Sequence, residues 1–190
     1  MNDRIKIKET KILSDNWYKL NKITFNYLTK NGEWIEQSRE AYDRGNGAVI
    51  LLYNTDKKTV ILTRQFRMPT YINGNEDGMM IEACAGLLDS DDPATAIIRE
   101  TEEETGYKLT HIEKVFEAYM SPGSVTEILY FFIAEYSDKT EKLEGGGIDN
   151  EDIDVLEVTI EKALAMIKAG EIKDAKTIIL IQHLKLEEKI

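Results

Sequence analysis

A single cysteine, Cys84, stands in 190 residues, which removes an intrachain disulfide and any multi-cysteine metal site. It lies in Ile81-Glu82-Ala83-Cys84-Ala85, where it reads as a small buried residue before it reads as a nucleophile. Histidine is almost as scarce: His111 and His183 are far apart, lack metal-ligand spacing and carry no chemistry. No apolar run approaches the length of a membrane span, and the N-terminal MNDRIKIKET is not a signal peptide, so a cytoplasmic location is expected. Positive charge is short as well. Lys and Arg number 24 against 35 Asp and Glu, a net charge of -11, which argues against a nucleic-acid backbone as the main partner. A polyanionic substrate must then be drawn in by local cations and by bound metal.

With 42% hydrophobic and 31% charged residues the chain is of ordinary globular composition, long enough for one sizeable core and a small extra subdomain. Its most informative stretch is Gly86 to Tyr107, GLLDSDDPATAIIRETEEETGY. Asp92 suits an N-cap, Pro93 the first helical position, and Gly106 a stop, so a helix is expected between them. At about 100° per residue, Glu100, Glu103 and Glu104 fall within roughly a third of the circumference, and Glu102 points the other way. Ala94, Ile97, Ile98, Thr101 and Thr105 form the adjoining apolar flank. Three carboxylates on the edge of a buried face repel one another unless cations lie between them, and hard oxygen ligands favour Mg²⁺ or Mn²⁺ over Zn²⁺. Arg99, four residues before Glu103, is placed to orient it by an ion pair. The plain alternative is a solvated acidic helix.

Gly86, then an acid, then seven residues, then Arg-Glu-x-x-Glu-Glu-x-Gly-hydrophobic resembles the Nudix box of the Nudix hydrolase superfamily. In the family pattern five residues separate the first glycine from a glutamate; here four separate Gly86 from Asp91, and an aspartate stands in the glutamate's place. Thr101 occupies a position that is usually aliphatic. These departures bear on the first acid and leave the helical carboxylates intact.

Before the box, Ile23, Phe25 and Tyr27 alternate with polar residues, and Asn31-Gly32 is a hairpin signal leading to a return strand from Trp34 to Tyr42. Residues 1–43 make a strand unit too small to bury both faces; it must pack on the domain formed by residues 44–190 or on a second copy of the chain. Trp17 and Trp34 read as packing residues, with stacking on a flat base as the alternative. Strands are expected at Ala48–Tyr53, Thr59–Thr63, Met79–Ala83, 112–119, Ile128–Ala134 and Val155–Val158. Helices are expected at Ile160–Lys168 and Ile178–Leu186, the latter starting at Asp174 or Thr177. Arg64 and Arg67 would lie on opposite strand faces, one of them a candidate phosphate clamp. Pro122, fifteen residues past Tyr107, resembles the proline of Nudix pyrophosphatases acting on nucleoside-diphosphate sugars. Gly145 to Gly147 suggest a mobile acidic loop carrying Asn150, Glu151 and Asp152 over a substrate. Lys176 stands where a cation meets a phosphate at a helix entrance, or is simply a surface lysine.

Outside the box, KILSDNWYKL, AYDRGNGA, NGNEDG, YMSPGSVTE and FFIAEYSD look like the bacterial GDP-mannose pyrophosphatases of the superfamily. The resemblance implies an α/β fold, a Nudix α/β/α sandwich with a mixed sheet, plus an N-terminal antiparallel unit exchanged in a homodimer. It implies Mg²⁺-dependent splitting of a nucleotide sugar, GDP-mannose, into GMP and mannose 1-phosphate. Metal would be held by the Ala85 carbonyl, Glu100, Glu104 and Glu151. Glu103, Glu104 and Glu151 are the catalytic candidates, with Glu151 the first choice of base. Substrate contacts fall on Trp17, Ser38, Arg39, Glu40, Arg67, Ala85, Gly86, Leu87, Glu104, Glu127, Asn150, Glu151 and Lys176, and Trp17 stands where a tyrosine is expected. Two rival functions share the pattern. One is ADP-ribose pyrophosphatase. The other is a non-catalytic nucleotide-sugar sensor, against which the intact Glu100, Glu103 and Glu104 argue.

Overall fold

Strand β4 (Gly47–Asn54) is the apolar run GAVILLYN, and all eight of its residues are buried. A strand without a polar face must be covered on both sides. Ala48, Ile50 and Leu52 join a cluster with Ile61, Ile97, Phe132 and Tyr136. By alternation, the equally buried Val49 and Leu51 face the other side. Each such side chain contributes about 1.5–3 kcal/mol by leaving water.

The computed structural model describes residues 3–148 and 152–190. Two units are distinct, Met1–Asn46 with Tyr119–Ile128, and Gly47–Ala118 with Leu129–Ile190.

In the first unit, β1 (Ile5–Asp15), β2 (Lys19–Leu28) and β3 (Trp34–Asp43) form an antiparallel sheet in that order. The Asn31-Gly32 turn joins β2 to β3, with Gly32 at φ 84° and Leu28 opposite Trp34. Strand β1 was not legible from alternation because register shifts between Ile7 and Glu9 and between Ile12 and Ser14 break its period of two. Trp17 and Trp34 are not the buried packing residues expected: they are 87% and 41% exposed. Lys6 sits over the Trp34 ring instead. Residues 121–126 pair with the end of β3 through Tyr42 N–H to Ser124 O and Thr126 N–H to Tyr42 O.

The second unit is a mixed sheet in the order β10-β5-β4-β9-β8, with β6 added on β5 and β7 on β4. Its strands are β5 (Thr59–Phe66), β6 (Met79–Glu82), β7 (Cys84–Leu87), β8 (Glu113–Tyr119), β9 (Ile128–Glu135) and β10 (Asp154–Thr159). Strand β4 runs parallel to β9 and antiparallel to β5 and β7. A short helix α1 (Met68–Ile72) follows β5; α2 (Pro93–Thr105) packs on β7 and β4, α4 (Ala175–Leu186) packs on β4, and α3 (Ile160–Ala169) packs on β10 and β5. The strand expected at Met79–Ala83 is β6, and after a break at Ala83 the chain makes a second short strand, β7, which leaves β5 to pair with β4.

The glycines at 145 to 147 do not make the free loop that the sequence suggests. Gly146 and Gly147 donate backbone N–H to the carbonyls of Glu104 and Glu103, at 2.8 and 3.0 Å, and Leu143 donates to Gly106 O at 2.8 Å. These bonds satisfy carbonyls that the end of α2 leaves without helical partners. Glycine is required for proximity: a Cβ on Gly145 would lie 2.5 Å from Thr105 C and 2.7 Å from Gly106 N. Gly145→Ala must push backbone from backbone and is expected to cost about 1–3 kcal/mol in denaturant unfolding. Gly123→Ala meets nothing within 4 Å and is expected to stay within about 0.5 kcal/mol.

Candidate active site

Helix α2 begins as its sequence dictates. Asp92 caps it by accepting from the N–H groups of Ala94 and Thr95, Pro93 follows, and Gly106 ends it in the left-handed region at φ 77°. Its buried face carries Ala96, Ile97, Thr101, Glu104 and Thr105. Glu104 thus lies inside the packed face, only 4% exposed, whereas Glu100 and Glu103 are half-buried beside it. The three carboxylates do not share one rim, as the wheel suggested. Thr101 is accommodated because its hydroxyl donates to Ile97 O at 2.6 Å and faces the Cys84 thiol; Thr105 donates to Thr101 O at 2.6 Å. Burial, reinforced by the Glu104 charge, pushes the Cys84 thiol well above its usual range, which makes it an inert core residue.

Gly86 is where helix and strand meet. A Cβ there would stand 2.2 Å from Glu100 Cδ and 2.6 Å from its Oε1. The Glu100 carboxylate therefore occupies the room that a side chain at Gly86 would fill, against the backbone one residue past the Ala85 carbonyl. Two carboxylates four residues apart and a backbone carbonyl form a hard-oxygen donor set, which fits a divalent cation of the Mg²⁺ class. Among the described residues no three acidic, histidine or cysteine side chains converge to hold a metal by themselves. A further ligand must come from elsewhere, and the expected one, Glu151, lies with Asn150 outside the described residues.

Arg99 does more than orient Glu103. Its guanidinium lies 3.2 Å from Glu103 and 3.0 Å from Glu100, and 3.9 Å from both Asp89 and Asp91. The acid of the shortened loop thus acts on this arginine. Asp89 adopts φ 50°, a left-handed conformation in the loop between β7 and α2.

A second constellation joins Arg67 and Lys176 through Glu82, Asp174 and Thr177, acids and a hydroxyl to which the sequence gives no site role. Arg67 does not extend β5: the strand ends at Phe66 and Arg67 caps α1, so the opposite-face argument for Arg64 and Arg67 does not apply. Arg67 Nε donates to Glu82 Oε2 at 2.7 Å, while Lys176 Nζ donates to Glu82 Oε1 at 2.6 Å and Asp174 Oδ1 at 2.9 Å. Asp174 also accepts from the N–H and hydroxyl of Thr177, whose oxygen receives the Ala83 N–H at 2.7 Å. Lys176 is therefore no plain surface lysine, being 14% exposed. The signal available in the sequence was Glu82 itself, a lone acid in the apolar run Met79–Gly86, which burial obliges to find a cation. Burial raises the Glu82 carboxyl, but Lys176 and Arg67 outweigh it and hold the group below its usual value. Burial likewise lowers the Lys176 ammonium, and Glu82 and Asp174 reverse it to a net rise.

Trp17, Ser38, Arg39, Glu40 and Glu127 belong to the first unit. Trp17 stacks on Tyr18, with ring centroids 5.9 Å apart. Ser38, Arg39 and Glu40 are exposed on β3. Glu127 lies 3.6 Å from Arg44, whose guanidinium also covers the Tyr18 ring. Leu87 closes β7 opposite Gly47.

A glycine-opened strand facing a carboxylate-bearing helix presents hard oxygen donors suited to a divalent cation. Comparison with known proteins agrees with this reading. Residues 43–180 match the NUDIX domain, and residues 4–42 match the GDP-mannose pyrophosphatase NudK N-terminal domain. The GDP-mannose pyrophosphatase of Escherichia coli (strain K12) is 56% identical over 185 residues, 97% of each chain. That of Shigella dysenteriae serotype 1 is 54% identical over 190 residues, the whole of both, and that of Citrobacter koseri is 55% identical over 184 residues, covering 97% of this chain and 96% of the relative. A crystal structure of an ADP compounds hydrolase superposes with a TM-score of 0.74 at 16% identity, covering 99% of this chain and 98% of that one. The chain belongs to the Nudix hydrolase family. Nudix pyrophosphatases generally use a divalent metal, and among the described residues no helix is long and apolar enough to cross a membrane.

Two outcomes follow from this geometry. Gly86→Ala drives its Cβ into a flexible side chain, not into backbone, so thermal unfolding should barely change. The Mg²⁺ concentration needed for half-maximal activity should rise about 10–100-fold as Glu100 is displaced. The Glu82 contribution to stability is present above the unfolded carboxyl value near 4.3 and lost as pH falls through its lower folded value. The Lys176 contribution is present below about 10.4 and lost as pH rises through its higher folded value. Unfolding titrations should therefore show Glu82→Gln about 3–5 kcal/mol less stable than the parent between pH 5 and 10, with the gap narrowing below about pH 4.

Proposed function

We propose that this protein is a Mg²⁺-dependent pyrophosphohydrolase that splits GDP-mannose into GMP and mannose 1-phosphate. The observation that carries the reading is 54–56% identity, over 97–100% of the chain, to relatives bearing that name, with Glu100, Glu103 and Glu104 all present. The Ala85 carbonyl, Glu100, Glu104 and Glu151 are the residues we assign to Mg²⁺, with Mn²⁺ as the substitute cation. When bound, the cation neutralises charge on the diphosphate and lowers the pKa of water.

The chain's own residues do the rest. Arg67 and Lys176 hold phosphate oxygens, restraining the diphosphate for in-line attack. Water adds to one phosphorus, the bridging P–O bond breaks, and the leaving phosphate takes the electron pair. Glu151 accepts the proton of the attacking water, and Glu103, fixed by Arg99, is the second candidate for that role. Trp17 offers a face for the base. Ser38, Arg39, Glu40, Glu127 and Asn150 supply polar contacts, and Ala85, Gly86 and Leu87 line the floor as backbone. Residues 1–43 serve as a dimerisation and substrate-contact domain beside a catalytic domain of residues 44–190. The exposed apolar side chains of the three-stranded sheet, Ile7 at 68% and Ile12 at 55% among them, favour a homodimer with exchanged strands. The single cysteine and net charge -11 suit a cytoplasmic enzyme acting on a nucleotide sugar.

Product analysis tests the substrate. With Mg²⁺, GMP should form from GDP-mannose and little AMP from ADP-ribose. The reverse preference overturns the base assignment, and no product from either favours another nucleotide sugar as substrate or a non-catalytic sensor. Glu104→Gln should retain the fold and lower kcat about a thousandfold, the scale of the several kcal/mol that a bound metal contributes. Near-parental turnover in that variant, measured in saturating Mg²⁺, would remove Glu104 from the metal site.

A further inference from the structure

Glu82 sits between the two cations assigned above to the diphosphate. One oxygen accepts from Arg67 Nε at 2.7 Å and the other from Lys176 Nζ at 2.6 Å. The carboxylate is 5% exposed and lies at the end of β6, while the cations arrive from the end of β5 and the first turn of α4. Arg67 and Lys176 share this one side chain, and Lys176 is held by Asp174 as well. The bonds also fix what each cation has left to offer. Among the described residues Arg67 Nη1 and Nη2 have no hydrogen-bond partner, and Lys176, with three N–H donors, spends two on Glu82 and Asp174. Arg67 remains 40% exposed through its side chain. A guanidinium held by Nε presents its two Nη groups as a fork, the geometry suited to a phosphate.

We infer that Glu82 is a positioning residue for the hydrolytic reaction: by clamping Arg67 and Lys176 to one buried carboxylate it makes them act as a pair on the substrate's diphosphate. A bare cation pair at this spacing would repel itself and lose rotamer freedom on each binding event; the shared carboxylate removes both costs before substrate arrives. Asp174 keeps Lys176 partnered on its other side and ties it, through Thr177, to the Ala83 N–H, two residues before Ala85. The inference rests on Arg67 and Lys176 being substrate contacts, as proposed above.

The test is a set of double-mutant cycles in the full-length protein, with KM and kcat for GDP-mannose measured in Mg²⁺ for E82Q, R67A, K176M and their combinations. The expected result is that R67A and K176M each raise KM, and that E82Q raises KM about tenfold with kcat changed less than threefold. In the R67A/K176M background E82Q should add less than twofold, because it then has nothing left to position. An E82Q effect of the same size in both backgrounds, or no KM effect beside raised KM in R67A and K176M, overturns the positioning role and leaves the substrate contacts standing. Unchanged KM in R67A and K176M overturns the contacts and, with them, this inference. Should E82Q fail to fold, E82D keeps the charge but withdraws it by one methylene. It should raise KM in the same direction and lose that effect in the R67A/K176M background; an effect of equal size in both backgrounds overturns the inference.

Discussion

The structure turns on a missing atom. Because Gly86 has no Cβ, α2 approaches β7 closely enough for the Glu100 carboxyl to fill the gap, with Glu100 Cδ only 2.2 Å from where that atom would stand. Glu100 lies against backbone, Glu104 lies in the packed face of the same helix, and Ile97 of that face joins the apolar cluster with Phe132. A strand-helix junction of ordinary spacing would leave the same carboxylates as a solvated acidic face.

How much of this was legible depends on the range of the interaction. Helix α2 and its cap, stop and periodicity are local, and Asp92, Pro93 and Gly106 announce them within a few residues. The Arg99–Glu103 pair is one helical turn, so it too was legible. The buried strands β4 and β9 could be read because continuous apolar runs need no knowledge of the partner. Strand β1 could not, since its bulges are dictated by pairing with β2. Glu82, Arg67 and Lys176 were the harder case: they come from 15 and 94 residues apart, and no spacing rule links them. The glycines at 145 to 147 were misread for a related reason. Glycine signals either freedom or close approach, and only the carbonyls waiting at the end of α2 decide which.

Charge is managed by sharing. The chain carries -11 overall, yet around the site single cations each serve several carboxylates. Arg99 lies within 4 Å of Asp89, Asp91, Glu100 and Glu103, and Lys176 answers both Glu82 and Asp174. The two arrangements differ in kind. Arg99 gathers acids that are partly exposed, where each pair contributes little. Glu82 is buried, so its partners are obligatory and their geometry is fixed.

The docking of residues 141–147 on the end of α2 also bears on how the molecule forms. Lys108 N–H meets Glu141 O, Leu143 N–H meets Gly106 O, and Gly146 N–H meets Glu104 O. Each bond joins groups separated by more than thirty positions, with β8 and β9 in between. The first turns of the helix can form as soon as their own residues are available. Its last turn is different, because the closing contacts carry the loop-closure entropy of the intervening strands. The glutamate-bearing end of α2 is thus completed by a non-local event, one that carries the entropic cost of bringing together groups on either side of β8 and β9.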